Sequence, residues 1–239
     1  MATERFHTPA DVDVPAVSAE TMRRVDRVAV DEVGIELRQM MENAGRTLAA
    51  HVFEVDSDSA LVVAGNGGNG GGGLACARHL ANHDVDVSLV LDREPEELTG
   101  AAAHQYRILE RMGITAGVGS GAVSGAESVS VVVDALIGYG LTGRVRDPAA
   151  ALIRAVNGRG APVVSLDVPS GIDATTGETL GVAVDPSRTV TLALPKTGLR
   201  GRSEPLFLAD IGIPRTVYRR LDIEYVNPFG RAWWVKLAS

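Results

Sequence analysis

The sequence predicts an α/β protein: a three-layer αβα Rossmann-like fold with a mostly parallel central sheet and N-terminal helices. Three observations lead to this prediction. Runs of strand length are continuously apolar, which is typical of a parallel sheet that helices cover on both faces. These runs alternate along the chain with longer, helix-like runs. The chain has 239 residues, 45% of them hydrophobic, which suits one sizeable core better than two.

Two helices are predicted before the first strand. Residues 1–17 mix Pro, Asp and Thr without apolar periodicity, and they predict a flexible or loosely docked N-terminal arm. Ser18 is a candidate cap for the helix that follows, in which apolar residues recur at helical spacing up to a stop at Gly34. A second amphipathic helix is predicted over residues 37–48.

Strands and helices then alternate to the end of one predicted domain, residues 18–221. Strands are predicted at residues 60–64, 85–91, 129–136, 162–168, 188–194 and 206–212, and helices at 74–83, 102–113 and 148–158. Residues 222–239 form a C-terminal tail without a pattern. Since the carboxyl ends of parallel strands share one edge of a sheet, the loops that follow these strands should converge on one binding site.

Composition limits the classes of function. A net charge of -7 and a pI near 5.3 argue against nucleic acid or a membrane as a partner, because both attract clustered Lys and Arg. The single cysteine, Cys76, excludes an intramolecular disulfide. With a polar start and no long apolar stretch, the sequence predicts a cytoplasmic protein.

The strongest local motif is GNGGNGGGG, which begins at Gly65 between a predicted strand and a predicted helix. Successive backbone N–H groups of such a loop can surround a phosphate at the positive end of a helix dipole. Gly65, Gly67 and Gly70 also satisfy the G-x-G-x-x-G fingerprint, and Asp92 stands where a ribose-binding acid would follow. An NAD-dependent oxidoreductase is therefore one candidate function.

The motif and five further segments resemble another family. GNGGNGGGGLACARHL is similar to the G-x-G-N-N-G-G-D-G-L-x-x-A-R-x-L signature of the NAD(P)H-hydrate epimerases, the YjeF N-terminal domain family. The segments RVDRVAVDEVGIELRQMMENAGR, VVVDALIGYGLTGRVRDP, VVSLDVPSGIDATTGE, TVTLALPKTGL and LFLADIGIP resemble the other family motifs in the same order. Gly68 and Gly72 depart from the signature, Gly72 standing where most members carry Asp.

The resemblance implies a site as well as a fold. It implies a potassium ion (K+) held by Asn69, Asp134 and Ser170, each just past an apolar strand, together with backbone carbonyls. Asp167 is the candidate catalytic acid or base, because apolar neighbours reduce its hydration and so favour proton uptake. Substrate contacts are predicted for two glycine-bearing segments and for Asp167; the segments comprise Gly68, Asn69, Gly70, Gly71 and Gly72, and Gly138, Tyr139, Gly140, Leu141, Thr142, Gly143 and Arg144.

The implied reaction is epimerisation of hydrated NADH and NADPH (NADHX and NADPHX) at C6 of the reduced ring. Asp167 would protonate the departing hydroxyl and take a proton back when water returns to the opposite face; a ring-opened aldehyde is an equally allowed route. The resemblance also implies a homodimer and a separate NAD(P)H-hydrate dehydratase as functional partner. A non-catalytic nucleotide-binding or interaction module of the same fold remains the third candidate function.

Overall fold

The computed structural model describes residues 5–55 and 58–238. The strands are β1 (Arg5–His7), β2 (Asp13–Pro15), β3 (Ser59–Ala64), β4 (Asp86–Leu91), β5 (Ala116–Val118), β6 (Val131–Ala135), β7 (Val163–Leu166), β8 (Arg188–Leu192), β9 (Leu206–Ala209) and β10 (Trp234–Leu237). The α-helices are α1 (Ala19–Arg27), α2 (Leu37–Phe53), α3 (Gly68–Ala81), α4 (Gly100–Arg111), α5 (Gly119–Gly125), α6 (Ala149–Asn157) and α7 (Arg215–Arg220). Short 3₁₀ turns cover Pro95–Glu97 and Thr197–Leu199.

The main sheet has eight strands in the order β10-β9-β8-β7-β6-β3-β4-β5. Neighbouring strands are parallel except for the antiparallel pair β10 and β9 at one edge. The chain leaves β3 toward β4 and β5, and then crosses to β6 on the other side of β3. The crevice at the carboxyl ends of β3 and β6 is therefore a topological switch point, where ligands bind in open α/β sheets.

Helices bury both faces of this sheet, which confirms the predicted three-layer α/β fold. Val62 and Ala64 of β3 pack into a core with α2, α3 and α4, whereas Leu61 and Val63 pack into a second core with α5 and α6. Successive strand residues point to opposite faces, so a strand between two helical layers must be apolar at every position. This explains the continuous apolar runs in the sequence.

The N-terminal helices follow the sequence prediction. The hydroxyl of Ser18 caps α1 by accepting a hydrogen bond from the Thr21 N–H at 3.2 Å. The helix continues as a π-helical turn over Val28–Val33 and stops at Gly34, whose φ of 84° lies in the left-handed region that glycine adopts readily. None of the described helices combines the length and the apolar content needed to cross a membrane.

The segment predicted to be a flexible or loosely docked arm is packed where the structure describes it; its residues 1–4 lie outside the described residues. β1 and β2 form an antiparallel pair in which Phe6 faces Val14, and both side chains are buried. His7 pairs with Ala238, beside β10 of the predicted tail. Strands of three residues are too short to show periodicity, so β1 and β2 could not be predicted from the sequence pattern. The division into arm, domain and tail remains a prediction.

Candidate active site

A cavity of about 620 Å³ lies at the switch point of the sheet. The loops after β3, β4 and β6 meet there with α1 and α2, as the topology requires for a site at the carboxyl ends of parallel strands. Its lining comprises Met22, Arg23, Asp26, Leu37, Met40, Met41, Asn66, Gly67, Gly68, Asn69, Asp92, Arg93, Leu136, Ile137, Gly138, Tyr139, Gly140, Pro148, Ala149, Asp167, Leu192, Lys196 and Ile211.

The glycine motif divides into a cavity segment and a packing segment. Its first part, Asn66–Asn69, lines the cavity, and α3 begins within the motif at Gly68. Gly70, Gly71 and Gly72 were predicted to contact substrate, but they are buried in α3 and do not line the cavity. A Cβ at Gly70 would lie 1.6 Å from the Gly65 carbonyl oxygen, so glycine is required there by packing.

Gly72, the departure from the family signature, also faces the protein interior. A Cβ at this position would lie 2.8 Å from Cδ2 of Leu166, the last residue of β7. The methyl group of Leu166 thus reaches the place that a longer side chain at position 72 would take. The N–H groups at the start of α3 are unaffected by this difference, since they belong to the backbone.

Asn69 carries two unpartnered polar atoms. In the part of the chain that the structure describes, neither its buried Oδ1 nor its buried Nδ2 has a hydrogen-bond partner. Buried amides without partners are uncommon in folded proteins, and they indicate a water, an ion or a ligand at the site. A Cβ built on Gly138 would lie 3.1 Å from Asn69 Oδ1 and 3.0 Å from Asp167 Oδ2, so glycine at 138 allows this loop to approach both side chains.

Asp134 and Ser170 lie directly behind the cavity wall, and both are fully buried. Ser170 donates its hydroxyl to Asp134 Oδ1 and its backbone N–H to Oδ2 at 2.9 Å, and the Ser165 hydroxyl donates to Oδ2 at 2.8 Å. Burial raises the pKa of Asp134, and these neutral donors offset that effect in part. Within residues 5–55 and 58–238, the hydrogen-bond partners of this carboxylate are hydroxyl and N–H groups, with no cationic side chain among them.

Asp167 follows β7 and is paired with a buried lysine. Its Oδ1 accepts a charge-assisted hydrogen bond from Lys196 Nζ, and its Oδ2 accepts from the Tyr139 N–H at 2.9 Å. Lys196 Nζ also donates to the Leu192 carbonyl at 2.9 Å. Asp167 has a φ of 68°, a left-handed conformation that Asp and Asn tolerate better than most residues. The ion pair and the N–H fix the carboxylate at the cavity wall.

A further carboxyl group at the cavity was not predicted from the sequence. Asp26, in the last turn of α1, accepts a hydrogen bond from the Tyr139 hydroxyl. Asp26 and Lys196 both lie in segments that resemble the family motifs. Both contacts join segments far apart in the sequence, 113 residues for Asp26 with Tyr139 and 29 for Lys196 with Asp167. Motif spacing carries no signal for such pairs.

The loop after β6 is only partly at the cavity. Gly138, Tyr139 and Gly140 line it, whereas Leu141, Thr142, Gly143 and Arg144 do not. The side chain of Arg144 instead lies beside Gly181, away from the lining. The predicted substrate contacts of these four residues therefore have no support from the cavity. Their roles, like those of the other predicted site residues, stay predictions.

The fold and the cavity define a doubly wound α/β protein whose polar site lies at the switch point of its sheet. The profile of the family described as YjeF-related protein N-terminus matches residues 37–198. The chain belongs to this family. An NAD(P)H-hydrate epimerase of Dehalogenimonas lykanthroporepellens is 43% identical to it, over 98% of each chain.

Other similar proteins agree with this assignment. A bifunctional NAD(P)H-hydrate repair enzyme Nnr of Salinibacter ruber is 37% identical over 92% of this chain, which spans 46% of that enzyme. The crystal structure of the yeast protein YNL200c matches with a TM-score of 0.80 at 24% identity, covering 93% of this chain and all of the yeast chain. The yeast structure supports the fold alone.

Proposed function

We propose that this chain is an NAD(P)H-hydrate epimerase, an isomerase that interconverts the S and R epimers of NADHX and NADPHX. The similarity to the Dehalogenimonas enzyme along 98% of both chains carries the proposal. The site supports it, because Asn69 and Asp167 line one cavity while Asp134 and Ser170 stand directly behind its wall. An interaction module that had lost catalysis would have no need to keep this polar group buried.

The cavity has groups that suit a dinucleotide diphosphate. The N-terminus of α3, a helix of 14 residues, opens at the lining residues Gly67 and Gly68, where free backbone N–H groups favour an anion. Arg23 and Arg93 also line the cavity and add positive charge. Asp92, which supported the oxidoreductase alternative, is held by Arg93 through bonds of 3.0 and 2.9 Å.

The residues predicted to hold potassium suit a hard cation. In the described part of the chain, Asn69 offers an amide oxygen without a hydrogen-bond partner, Asp134 a carboxylate bonded to neutral donors, and Ser170 a hydroxyl. Oxygen donors of these types are the ligands that hard cations take. When bound, the ion would supply positive charge that offsets the buried carboxylate and joins the loops after β3, β6 and β7.

Asp167 is the proposed proton-transfer group. The substrate carbon is a hemiaminal centre, so protonation of its hydroxyl lets water leave as the ring nitrogen forms an iminium; addition of water to the other face gives the other epimer. Lys196 and the Tyr139 N–H orient the Asp167 carboxylate toward the cavity. General acid–base catalysis of this kind raises the rate of a reaction roughly 100- to 10,000-fold.

Further expectations concern partners. We expect a dehydratase to consume one of the two epimers, and a homodimer and a cytoplasmic location stay predictions. An oxidoreductase or a non-catalytic module would not equilibrate the two epimers.

The test is a chiral chromatographic assay of the purified protein with one NADHX epimer, in KCl and in NaCl of equal ionic strength, repeated in H₂¹⁸O. We expect equilibration of the two epimers, faster in KCl, without a change in NADH redox state. Label in the new epimer indicates the iminium route, whereas an aldehyde route retains the original oxygen. A constant epimer ratio at every protein concentration would exclude the proposed function.

A further inference from the structure

Two carboxyl groups, and not one, face the substrate cavity around Tyr139. Asp26 and Asp167 both line the cavity. The Tyr139 hydroxyl donates to Asp26 Oδ2, and the backbone N–H of the same tyrosine donates to Asp167 Oδ2 at 2.9 Å. The two carboxyl groups therefore contact different ends of one tyrosine, its hydroxyl and its backbone N–H, and Lys196 Nζ lies 5.6 Å from the centre of the tyrosine ring.

The surroundings of Asp26 suit a group that exchanges protons. Burial raises the pKa of Asp26, and the charge of Asp167 acts in the same direction. The Tyr139 hydroxyl and Lys196 act in the opposite direction and are weaker than burial. Burial also raises the pKa of Tyr139, which keeps its hydroxyl protonated as a donor to Asp26.

The proposed reaction poses a geometric difficulty for a single carboxylate. The hydroxyl leaves from one face of C6, and water returns to the opposite face. Asp167 is fixed by Lys196 and by the Tyr139 N–H, so it has little freedom to follow the reaction from one face to the other. A second proton-transfer group at another part of the cavity removes this difficulty.

We infer that Asp26 is that second group, and that Asp26 and Asp167 serve opposite faces of the reduced ring, with Tyr139 as the positioning residue between them. This inference rests on the proposed function and deepens it. One carboxyl group protonates the hydroxyl, the C6–O bond breaks and water leaves as the nitrogen lone pair forms the C6=N1 iminium. A water then adds to the other face, a new C6–O bond forms, and its proton passes to the other carboxylate. The two carboxyl groups exchange protonation states in one turnover and are reset by proton exchange with solvent.

The test compares Asp26→Asn, Asp26→Glu and Tyr139→Phe with the parent protein. Asp31→Asn, an exposed acid in the π-helical turn after α1, is the matched control and should keep the parent rate. Asp26→Asn should lower kcat by about 100-fold or more with little change in KM, and Asp26→Glu should recover part of the loss. In Tyr139→Phe the backbone donor to Asp167 is retained.

The pH profile separates proton transfer from a structural role. The charged or titratable groups around Asp26 are Arg23 on its own helix, Tyr139, Asp167, Lys196 and Tyr218. Asp26→Asn should abolish one limb of the kcat profile. Tyr139→Phe should move that limb to higher pH, because it removes a hydrogen bond that favours the carboxylate form.

Three outcomes would overturn the inference: an unchanged kcat in Asp26→Asn, a lower kcat with the parent pH profile, or a product without label from H₂¹⁸O. If circular dichroism shows that Asp26→Asn is unfolded, Tyr139→Phe provides the test instead. An unchanged pH profile of kcat in Tyr139→Phe would then overturn the inference, and a shifted limb would support it. Failure of the parent protein to equilibrate the epimers would instead be seen before any variant is compared, and it would overturn the proposed function together with this inference.

Discussion

Asp134 and Asp167 are two buried acids at the ends of neighbouring parallel strands, yet their surroundings differ in kind. Asp167 contacts a cation of the protein, the Lys196 ammonium, and lies at the cavity wall. Asp134 is set behind that wall and contacts hydroxyls and N–H groups from Ser165, Ser170 and Leu136. Burial is nearly complete for both, so it does not explain the difference.

The comparison shows that the partner of a buried acid decides what the acid can do. An acid paired with a buried lysine needs no external charge, and it is free to exchange protons with a ligand in the cavity. An acid with only neutral donors is costly to keep ionised, since removing a charge from water is expensive unless another charge compensates it. This asymmetry agrees with a proton-transfer role for Asp167 and a cation-binding role for Asp134.

The largest effect is expected from Asp167→Asn. Asparagine tolerates the left-handed backbone at position 167 and has nearly the same shape as aspartate, but its amide cannot act as an acid or base near neutral pH. We expect kcat for epimer equilibration to fall by about 100- to 10,000-fold, with a smaller change in KM. Chromatography of the epimers over a range of substrate concentrations measures both parameters.

A double variant separates catalysis from stability. Asp167→Asn alone leaves the buried Lys196 without its anion, which should cost about 3–5 kcal/mol in the free energy of unfolding. Adding Lys196→Met removes the unpaired charge and should recover much of that stability in urea unfolding, but none of the activity. Recovery of activity in the double variant would show that Asp167 matters only for folding.

The fold was largely predictable because it depends on patterns that are local in the chain. Continuous apolar runs predicted the buried parallel strands, and Ser18 and Gly34 marked the ends of the first helical segment. The hairpin of β1 and β2 was missed, since its stability depends on Phe6 meeting Val14 and on contact with the C-terminal strand region, not on periodicity.

The site was predictable in its residues more than in its contacts. The resemblance pointed to Asn69, Asp134, Asp167 and Ser170, and the topology places all four near one edge of the sheet. The burial of Gly70 against the Gly65 carbonyl and the pairing of Asp26 with Tyr139 depend on neighbours that only the folded chain supplies. A glycine required by packing and a glycine required by a ligand look the same in the sequence.

His51 is a third buried ionisable group, and here burial outweighs a nearby carboxylate, since Glu54 Oε2 lies 3.6 Å from its Nδ1. It lies on α2 against Phe207 and Trp234, and Arg188 at the start of β8 approaches its Nδ1 to 3.1 Å. Burial lowers the pKa of His51 to about 4 from 6.5, so the folded protein binds fewer protons here than the unfolded chain. Its contribution to stability is complete above pH 6.5 and is lost as the pH falls toward 4.

The expected loss from His51 between these pH values is about 3 kcal/mol in the free energy of unfolding. Urea unfolding of the parent and of His51→Leu at several pH values measures it, and the variant should show the flatter dependence. His83→Gln, which changes an exposed histidine, is the control and should keep the parent slope. Equal slopes for all three proteins would show that burial does not lower the pKa of His51.

The smallest effect, and the sharpest test of the contrast between the two acids, is expected at Asn69. Its amide has no protein hydrogen bond among the described residues, so Asn69→Ala loses none and should unfold like the parent in NaCl. In KCl at about ten times the dissociation constant for potassium, the free energy of unfolding of the parent should rise by about 1.4 kcal/mol, and that of the variant should rise by less.

Asn66→Ala is the matched control. Asn66 accepts from the Thr99 N–H at 2.9 Å, so this variant should lose stability in both salts yet keep the response to potassium. An equal response to potassium in Asn69→Ala and the parent would remove Asn69 from the proposed cation site, and with it the explanation for the buried charge of Asp134.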